Sequence, residues 1–95
     1  MGDEARKAYL QQRREEIGEH IKTIRRQNNL SQEEVAQYLG CSRIKVNRAE
    51  NGSTEFSVGE LELLAKLFNV TILHFLGIEL TISVQGSQQQ VTFPM

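Results

Sequence analysis

The chain has 95 residues, of which 24% are charged and 39% hydrophobic, and its formal net charge is −1. This length and composition are typical of one folded domain and exclude a disordered segment. No apolar run approaches the roughly 20 residues that a transmembrane helix needs, the first residues lack the apolar core of a signal peptide, and a single cysteine, Cys41, excludes an intramolecular disulfide. We therefore expect a cytoplasmic protein with no membrane contact.

The basic residues are concentrated in the first part of the chain. Residues 1–54 contain ten Lys and Arg against eight Asp and Glu, whereas residues 55–95 contain one against four. This asymmetry fits an anion-binding side, but it also fits two ordinary solvated surfaces. Charge alone leaves both interpretations open.

The first predicted element spans residues 3–28 and is either one long helix or a short helix with a helical extension. Its apolar residues recur at spacings of seven, four and three, which follow the helical period, and they are Leu10, Ile17, Ile21 and Ile24. Gly18 allows a break within this run, because glycine costs about 1 kcal/mol relative to alanine in a helix. The pair Asn28-Asn29 ends the helix, since asparagine tolerates the left-handed conformation.

Two short helices follow, separated by only a few residues. Ser31 and Glu34 predict a capping box at the start of the second helix, and Gly40 ends that helix. Ser42 caps the third helix, which runs to Asn51. The apolar residues that the second helix would bury are Val35, Ala36 and Leu39. A turn of three residues with a glycine between two short helices is typical of a helix-turn-helix.

Two further helices complete the predicted bundle. Ser57 and Glu60 form a second capping box, and Asn69 ends the helix that it opens. Thr71 caps a short fifth helix that Gly77 closes. The apolar residues assigned to the buried faces of these helices are Val58, Leu61, Leu64, Ala65, Phe68, Ile72, Phe75 and Leu76.

The period changes in the last part of the chain. Apolar and polar residues alternate over residues 80–84 and 90–93, which predicts a β-hairpin or two short strands. We therefore expect an all-α, five-helix domain with a short β extension. Its parts would be a helical N-terminal extension (1–14), a helix-turn-helix domain (15–78) and a β-like tail (79–95).

A helical projection of the third helix separates two faces. Centred on Val46, the inward set is Ser42, Arg43, Val46, Ala49 and Glu50, although Arg43, in the first turn, can reach past the end of the helix. The outward set is Ile44, Asn47, Arg48 and Asn51, with Lys45 on a flank. Arginine can bind guanine O6 and N7, asparagine can bind adenine, and an apolar group can contact the thymine methyl. This face is suited to contact base edges in the major groove of DNA. The alternative interpretation is that the third helix is an ordinary amphipathic helix with a solvated outer face.

With both short helices in view, the sequence resembles the lambda-repressor/Cro-like family, also called XRE-type helix-turn-helix regulators. The resemblance covers residues 17–77 and rests on IGEHIKTIRRQNNLSQEEVAQYLGCSRIKVNRAENG followed by LELLAKLFNVTILHFLG. It implies a five-helix fold in which residues 42–51 form the recognition helix. The family binds double-stranded DNA, so DNA is the partner that the resemblance implies.

The resemblance also implies roles for individual residues. Arg43, Ile44 and Arg48 would face base edges, with Asn47 at the margin, Lys45 nearer phosphate and Ser42 as the cap. Gln32 matches the family's glutamine that contacts phosphate and braces the recognition helix. The phosphate-binding segment after that helix matches Asn51, Ser53 and Thr54, and the family's structural ion pair matches Arg25 and Glu50. Cys41 stands where the family usually has Val or Ile, which favours a core thiol over a redox sensor.

Catalysis and metal binding have little support in the sequence. His20 and His74 lie 54 residues apart, and Cys41 completes no familiar zinc spacing with them. We expect His20 to be a solvated residue of the first helix and His74 to lie beside the cap of the fifth. No catalytic residue, cofactor or metal site is predicted.

Two functions remain open. One is a homodimeric regulator, most simply a repressor, that binds a palindromic operator with two recognition helices. The other is an antitoxin-type subunit that neutralises a protein partner, a toxin or peptidase, and regulates its own operon. Dimerisation would use apolar groups that one small bundle cannot cover, namely Ile72, Phe75, Ile78, Leu80, Ile82 and Val84.

Overall fold

The computed structural model describes residues 2–78, which contain five helices and no strand. The helices are α1 (Asp3–Gln27), α2 (Gln32–Leu39), α3 (Arg43–Glu50), α4 (Val58–Phe68) and α5 (Ile72–Leu76). The five-helix architecture predicted from the sequence is thereby confirmed. The predicted β extension, with Leu80, Ile82 and Val84, lies outside the described residues.

Local capping signals fix the helix boundaries. Both predicted capping boxes are present, with reciprocal hydrogen bonds between Ser31 and Glu34 and between Ser57 and Glu60. Ser42 and Thr71 accept hydrogen bonds from the amides three residues further on, as N-caps do. The predicted helix ends adopt positive φ angles, at Asn29, Gly40, Asn69 and Gly77.

The core lies where all five helices meet. Its fully buried large side chains are Ile21, Val35, Val46, Leu64 and Phe75. Phe68 packs edge-on against Phe75, with ring centroids 6.1 Å apart. The prediction that Val58 is buried is wrong, because 69% of it is exposed. Val58 is the first residue of α4 and lies about 80° around the helix from Phe68, so it points away from the core.

Of the two forms predicted for the first helix, the structure shows the single long one, because α1 is one continuous helix of 25 residues without a break at Gly18. Gly18 is required instead by close packing. A Cβ at this position would lie 2.7 Å from the Glu50 carbonyl oxygen and closer still to that of Ala49. The missing side chain therefore lets α1 pass directly over the C-terminal end of α3.

Side chains of α1 also hold the short helix α5. His20 Nδ1 lies 2.9 Å from the Phe75 carbonyl oxygen, and Arg13 donates to the Leu76 carbonyl oxygen at 2.9 Å. These contacts satisfy carbonyl groups that have no partner within the last turn of a helix. The prediction of a solvated His20 is therefore wrong, because the fold brings α5 against this part of α1. His74 is exposed in the first turns of α5, beside the Thr71 cap, as expected.

None of the helices within residues 2–78 has both the length and the apolar character needed to cross a membrane.

Candidate nucleic-acid interface

The helices α2 and α3 are joined by a tight turn of three residues. Gly40 adopts φ 73°, which a residue with a side chain would adopt only with strain. The Cys41 amide then donates to the Ala36 carbonyl oxygen at 3.0 Å, which closes the end of α2. Ser42 begins α3 by accepting from the Lys45 amide at 3.1 Å. This turn therefore fixes the orientation of α3 relative to α2.

The inward face of α3 is held by packing. Val46 is fully buried, and Ala49 and Glu50 are each 3% exposed, as the helical projection predicted. The small side chain of Ala49 and the absent one of Gly18 allow the two helices to approach at backbone distance. The exposed face of α3 therefore belongs to a helix that is packed closely against α1 on its inward side.

A buried ion pair fixes the C-terminal end of α3. Arg25 of α1 contacts both carboxylate oxygens of Glu50, with Nε to Oε2 at 2.6 Å and Nη2 to Oε1 at 3.0 Å. Arg25 also donates to the Leu30 carbonyl oxygen at 2.8 Å. This is the pairing that the family resemblance implies. Because both partners are buried and hydrogen-bonded, the charge on each is compensated.

Polar side chains extend this ion pair to the surface. Gln32 donates to Glu50 Oε1 at 3.0 Å and accepts from Asn47 Nδ2 at 3.4 Å. Asn47 in turn accepts from Asn51 Nδ2 at 3.2 Å. The amide of Asn47 is thus occupied by its neighbours, and its predicted place on the outward face is only partly correct. Gln32 braces α3 in the way that the resemblance implies.

The exposed face of α3 combines two arginines with one apolar side chain. Arg43, Ile44 and Arg48 are exposed, and Ile44 is 56% exposed. The helical projection places Ser42 in the inward set, but Ser42 is exposed, whereas Arg43 is exposed as expected of a first-turn side chain that reaches past the end of the helix. Within residues 2–78, neither Arg43 nor Arg48 has an ion pair or a side-chain hydrogen bond. Their guanidinium groups are therefore available to a ligand.

Lys45 differs from these arginines because it is already paired. Its Nζ lies 2.6 Å from Glu60 Oε2, and Glu60 belongs to the first turn of α4. Burial alone would raise the pKa of Glu60, but hydrogen bonds from Lys45 and Ser57 outweigh it and lower the pKa. The sequence places Lys45 on a flank of the third helix, where the resemblance implies a phosphate contact, and it identifies Glu60 only as a capping residue. No local pattern links two residues 15 positions apart.

The segment after α3 uses its backbone amides internally. The amides of Ser53 and Thr54 both donate to the Arg48 carbonyl oxygen, at 2.9 and 3.4 Å. The Asn51 amide donates to the Asn47 carbonyl oxygen at 3.1 Å. The backbone amides that the resemblance assigns to phosphate are therefore occupied. Because Asn51 Nδ2 also donates to Asn47, the hydroxyl groups of Ser53 and Thr54 are the groups of this segment left to contact a ligand.

Cys41 packs at the margin of the core. It is partly buried, and its pKa is raised, first by burial and also by Glu60, against a lowering effect of Lys45. A raised pKa reduces the thiolate fraction on which reactivity depends. This environment favours the core thiol over the redox sensor. Within residues 2–78, no cluster of His, Cys, Asp and Glu comes together that could hold a metal ion.

The residues predicted for dimerisation occupy different environments. Phe75 is fully buried within the protomer, where it packs against Phe68, so it is not free to contact a partner. Ile72 is partly buried, and Ile78 is 47% exposed. Among the described members of that set, Ile78 offers the most apolar surface.

Known proteins with similar sequences also indicate a helix-turn-helix. A family model described as helix-turn-helix matches residues 21–75. Antitoxin PezA of Streptococcus pneumoniae serotype 4 is 34% identical over 61 residues, which make up 64% of this chain and 39% of that protein. The competence pilus inhibition repressor of Acinetobacter baylyi is 30% identical over 57 residues, or 60% of this chain and 52% of that protein. The chain thus spans about half the length of these relatives, or less.

Proposed function

Since the chain belongs to the XRE-type helix-turn-helix family of DNA-binding regulators, we propose that it binds a palindromic operator as a homodimer and represses transcription. The observation that carries this proposal is the exposed face of α3. Arg43 and Arg48 have no protein partner within residues 2–78, and they flank Ile44, which is 56% exposed. What supports the proposal is the combination of this apolar side chain with these two cations on one helix face, which matches a partner that offers both anions and methyl groups.

Duplex DNA offers these groups in its major groove. Each arginine can donate two hydrogen bonds to O6 and N7 of a guanine, and Ile44 can contact the methyl group of a thymine. The side chains of Gln32, Asn51, Ser53 and Thr54 lie around α3 and would contact phosphate. These contacts fix the register of the protein, whereas the three groups of α3 supply the sequence preference.

The experiment that tests this function is selection of bound sites from random DNA, followed by titration of variants. We expect Arg48→Ala to weaken binding to the selected site by about 1–3 kcal/mol and to relax one base position. Lys45→Ala should weaken binding to all sequences alike, because a phosphate contact carries no sequence information. Equal losses on every sequence for Arg48→Ala would contradict the base-reading role.

Dimerisation is the second part of the proposal. Two recognition helices in successive major grooves of a palindrome require half-site centres about 34 Å apart. Ile78 supports an interface near the end of α5, because it is large, apolar and 47% exposed. We propose that Ile72 and the tail residues Leu80, Ile82 and Val84 extend this interface. Sedimentation of a chain that ends at Gly77 should show monomers where the full chain shows dimers, and equal dimerisation would contradict the proposal.

An antitoxin function is the alternative. The observation that favours it is the identity of 34% to a protein named antitoxin PezA, although this chain spans only 39% of that relative. An antitoxin would use the same DNA-binding face to regulate its own operon, and would in addition bind a toxin or peptidase. Co-expression with the product of the adjacent gene separates the two functions. A stable complex that relieves toxicity would favour the antitoxin, and the absence of any complex would favour the free repressor.

A further inference from the structure

Lys45 has a partner that the other cations on the exposed side of α3 lack. It is the third residue of α3, on the flank of the face that carries Arg43 and Arg48. Its ammonium nitrogen lies 2.6 Å from Glu60 Oε2 of α4. A cation at this place would otherwise be free to contact the phosphate backbone. In this structure it is engaged by an acidic group of the same chain.

The carboxylate of Glu60 is held in position by its capping box, independently of Lys45. Its Oε1 accepts from the Ser57 amide at 2.9 Å, and its own amide donates to Ser57 Oγ at 3.1 Å. This capping box sets the position of the carboxylate, so Oε2 is presented to Lys45 at little cost in side-chain entropy. The side chain of Glu60 is only 19% exposed, so water competes weakly for it.

The ammonium group of Lys45 remains accessible to a ligand. Its side chain is 38% exposed, about twice the exposed fraction of Glu60. A DNA phosphate that approaches this flank would compete with the carboxylate for the same positive charge. The carboxylate is covalently part of the protein and prepositioned, whereas a phosphate belongs to a second molecule whose association costs translational and rotational freedom. Release of counterions from the DNA acts in the opposite direction and favours the phosphate contact.

We propose that Glu60 limits the affinity of this chain for DNA by competing with the phosphate backbone for the ammonium group of Lys45. The inference rests on the proposed DNA-binding function. It makes Glu60 a determinant of the electrostatic, sequence-independent part of binding. The sequence preference of Arg43, Ile44 and Arg48 is left unchanged.

The test is a double-mutant cycle on DNA binding by the full chain. Glu60→Gln removes the negative charge and retains the capping box, because glutamine serves at this position as glutamate does. We expect Glu60→Gln to tighten binding to the selected operator and to random duplex DNA by the same factor, about two- to fivefold, which is the worth of a partly exposed ion pair. The slope of log affinity against log salt should steepen by up to about 0.9, the value for one additional phosphate contact.

The gain must depend on Lys45. In a Lys45→Ala background, Glu60→Gln should change the affinity by far less than in the wild-type chain. Glu62→Gln is the matched control, because Glu62 is an exposed residue of the same helix and loses the same charge. An equal gain with and without Lys45, or an equal gain from Glu62→Gln, would overturn the inference in favour of a general charge effect. No gain at all from Glu60→Gln, or a changed ratio between operator and random DNA, would overturn it as well.

The outcomes separate this inference from the function on which it rests. A wild-type chain that binds no duplex DNA would overturn both. Wild-type binding without coupling between Lys45 and Glu60 would overturn this inference alone. Circular dichroism of each variant shows whether the helical content, and therefore the capping box, is retained.

Discussion

Two ion pairs hold α3, and they differ in their access to water. Arg25 and Glu50, at its C-terminal end, have side chains 9% and 1% exposed, whereas Lys45 and Glu60, near its start, are 38% and 19% exposed. The shortest contact is 2.6 Å in both pairs, so distance does not distinguish them. The two pairs differ in the groups that are available to each charge when the ion pair breaks.

The other partners of the buried pair are neutral groups, the Gln32 amide for Glu50 and the Leu30 carbonyl oxygen for Arg25. Arg25 and Glu50 lie under the helix, so opening the pair would leave two uncompensated charges. This pair can only position α3. The ammonium group of Lys45 meets water, or a phosphate, when it leaves Glu60. The second pair can therefore exchange its carboxylate for another anion, which the buried pair cannot do.

Among the substitutions that test the difference between the two ion pairs, Glu50→Ala should change the stability of the fold most. We expect it to lower the free energy of unfolding by about 3–5 kcal/mol, because it leaves the guanidinium of Arg25 buried without its partner. Urea denaturation followed by circular dichroism measures the change. Glu33→Ala, at an exposed position of α2, is the control and should stay within about 0.5 kcal/mol of the wild type.

The double variant Arg25→Met/Glu50→Leu makes this prediction sharper. Replacing both partners by apolar groups of similar size leaves no unpaired charge, so it should cost much less than Glu50→Ala. A double variant as unstable as the single one would mean that packing around these residues, and not the unpaired charge, causes the loss. The distinction drawn between the two ion pairs would then fail.

Features that depend on neighbouring residues in the chain could be predicted from the sequence. The helix ends at Asn29, Gly40, Asn69 and Gly77 and the two capping boxes all follow from residues within one turn of each other. The inward positions of Val46, Ala49 and Glu50 follow from the helical period. The ion pair of Arg25 came from the family resemblance, because no local pattern joins residues 25 positions apart.

What could not be predicted depends on how the helices pack. Gly18 suggested a weak point in α1, but its role is set by the Ala49 and Glu50 carbonyl groups that lie against it. His20 is polar and was expected in solvent, but α5 packs over it. The capping role of Glu60 is sufficient to explain a glutamate at this position, so its second contact, with Lys45, could not be predicted. In each case the decisive partner lies more than ten residues away.

A second prediction concerns the backbone contact beside the buried ion pair. We expect Gly18→Ala to destabilise the fold by about 1–3 kcal/mol, because the new methyl group would collide with rigid carbonyl groups of α3. Gly59→Ala is the matched control in α4, where the nearest atom to the new methyl group is Ser57 Oγ at 3.9 Å. That variant should be neutral or stabilise by up to about 1 kcal/mol, through helix propensity.

Thermal and urea unfolding of the two glycine variants decide this point. If Gly18→Ala stabilised the protein as Gly59→Ala does, α1 and α3 would not be in backbone contact. The C-terminal end of α3 would then be held by the ion pair alone. Its mobility would be closer to that of the end that carries Lys45.

The smallest expected effect is the acid dependence of the exposed pair. Burial raises the pKa of Glu60, but the hydrogen bonds from Lys45 and Ser57 lower it below the ordinary value of 4.5. Because the folded-state pKa lies below that of the unfolded chain, the ionised carboxylate stabilises the fold fully above about pH 4.5. This stabilisation is lost as the pH falls through the folded-state pKa. We expect it to be under about 1 kcal/mol, since Lys45 is partly exposed.

The measurement is the difference in free energy of unfolding between the wild type and Glu60→Gln at several pH values between about 3 and 7. The other carboxylates titrate in both proteins, so their contributions cancel in the difference. This difference in free energy of unfolding should be constant near neutral pH and should shrink in acid. Protonation removes from the wild type the charge that the variant already lacks. A difference that instead favours the wild type more strongly as the pH falls would mean that burial outweighs the hydrogen bonds from Lys45 and Ser57. The hydrogen bond from Lys45 would then stabilise the ionised carboxylate by less than its burial costs.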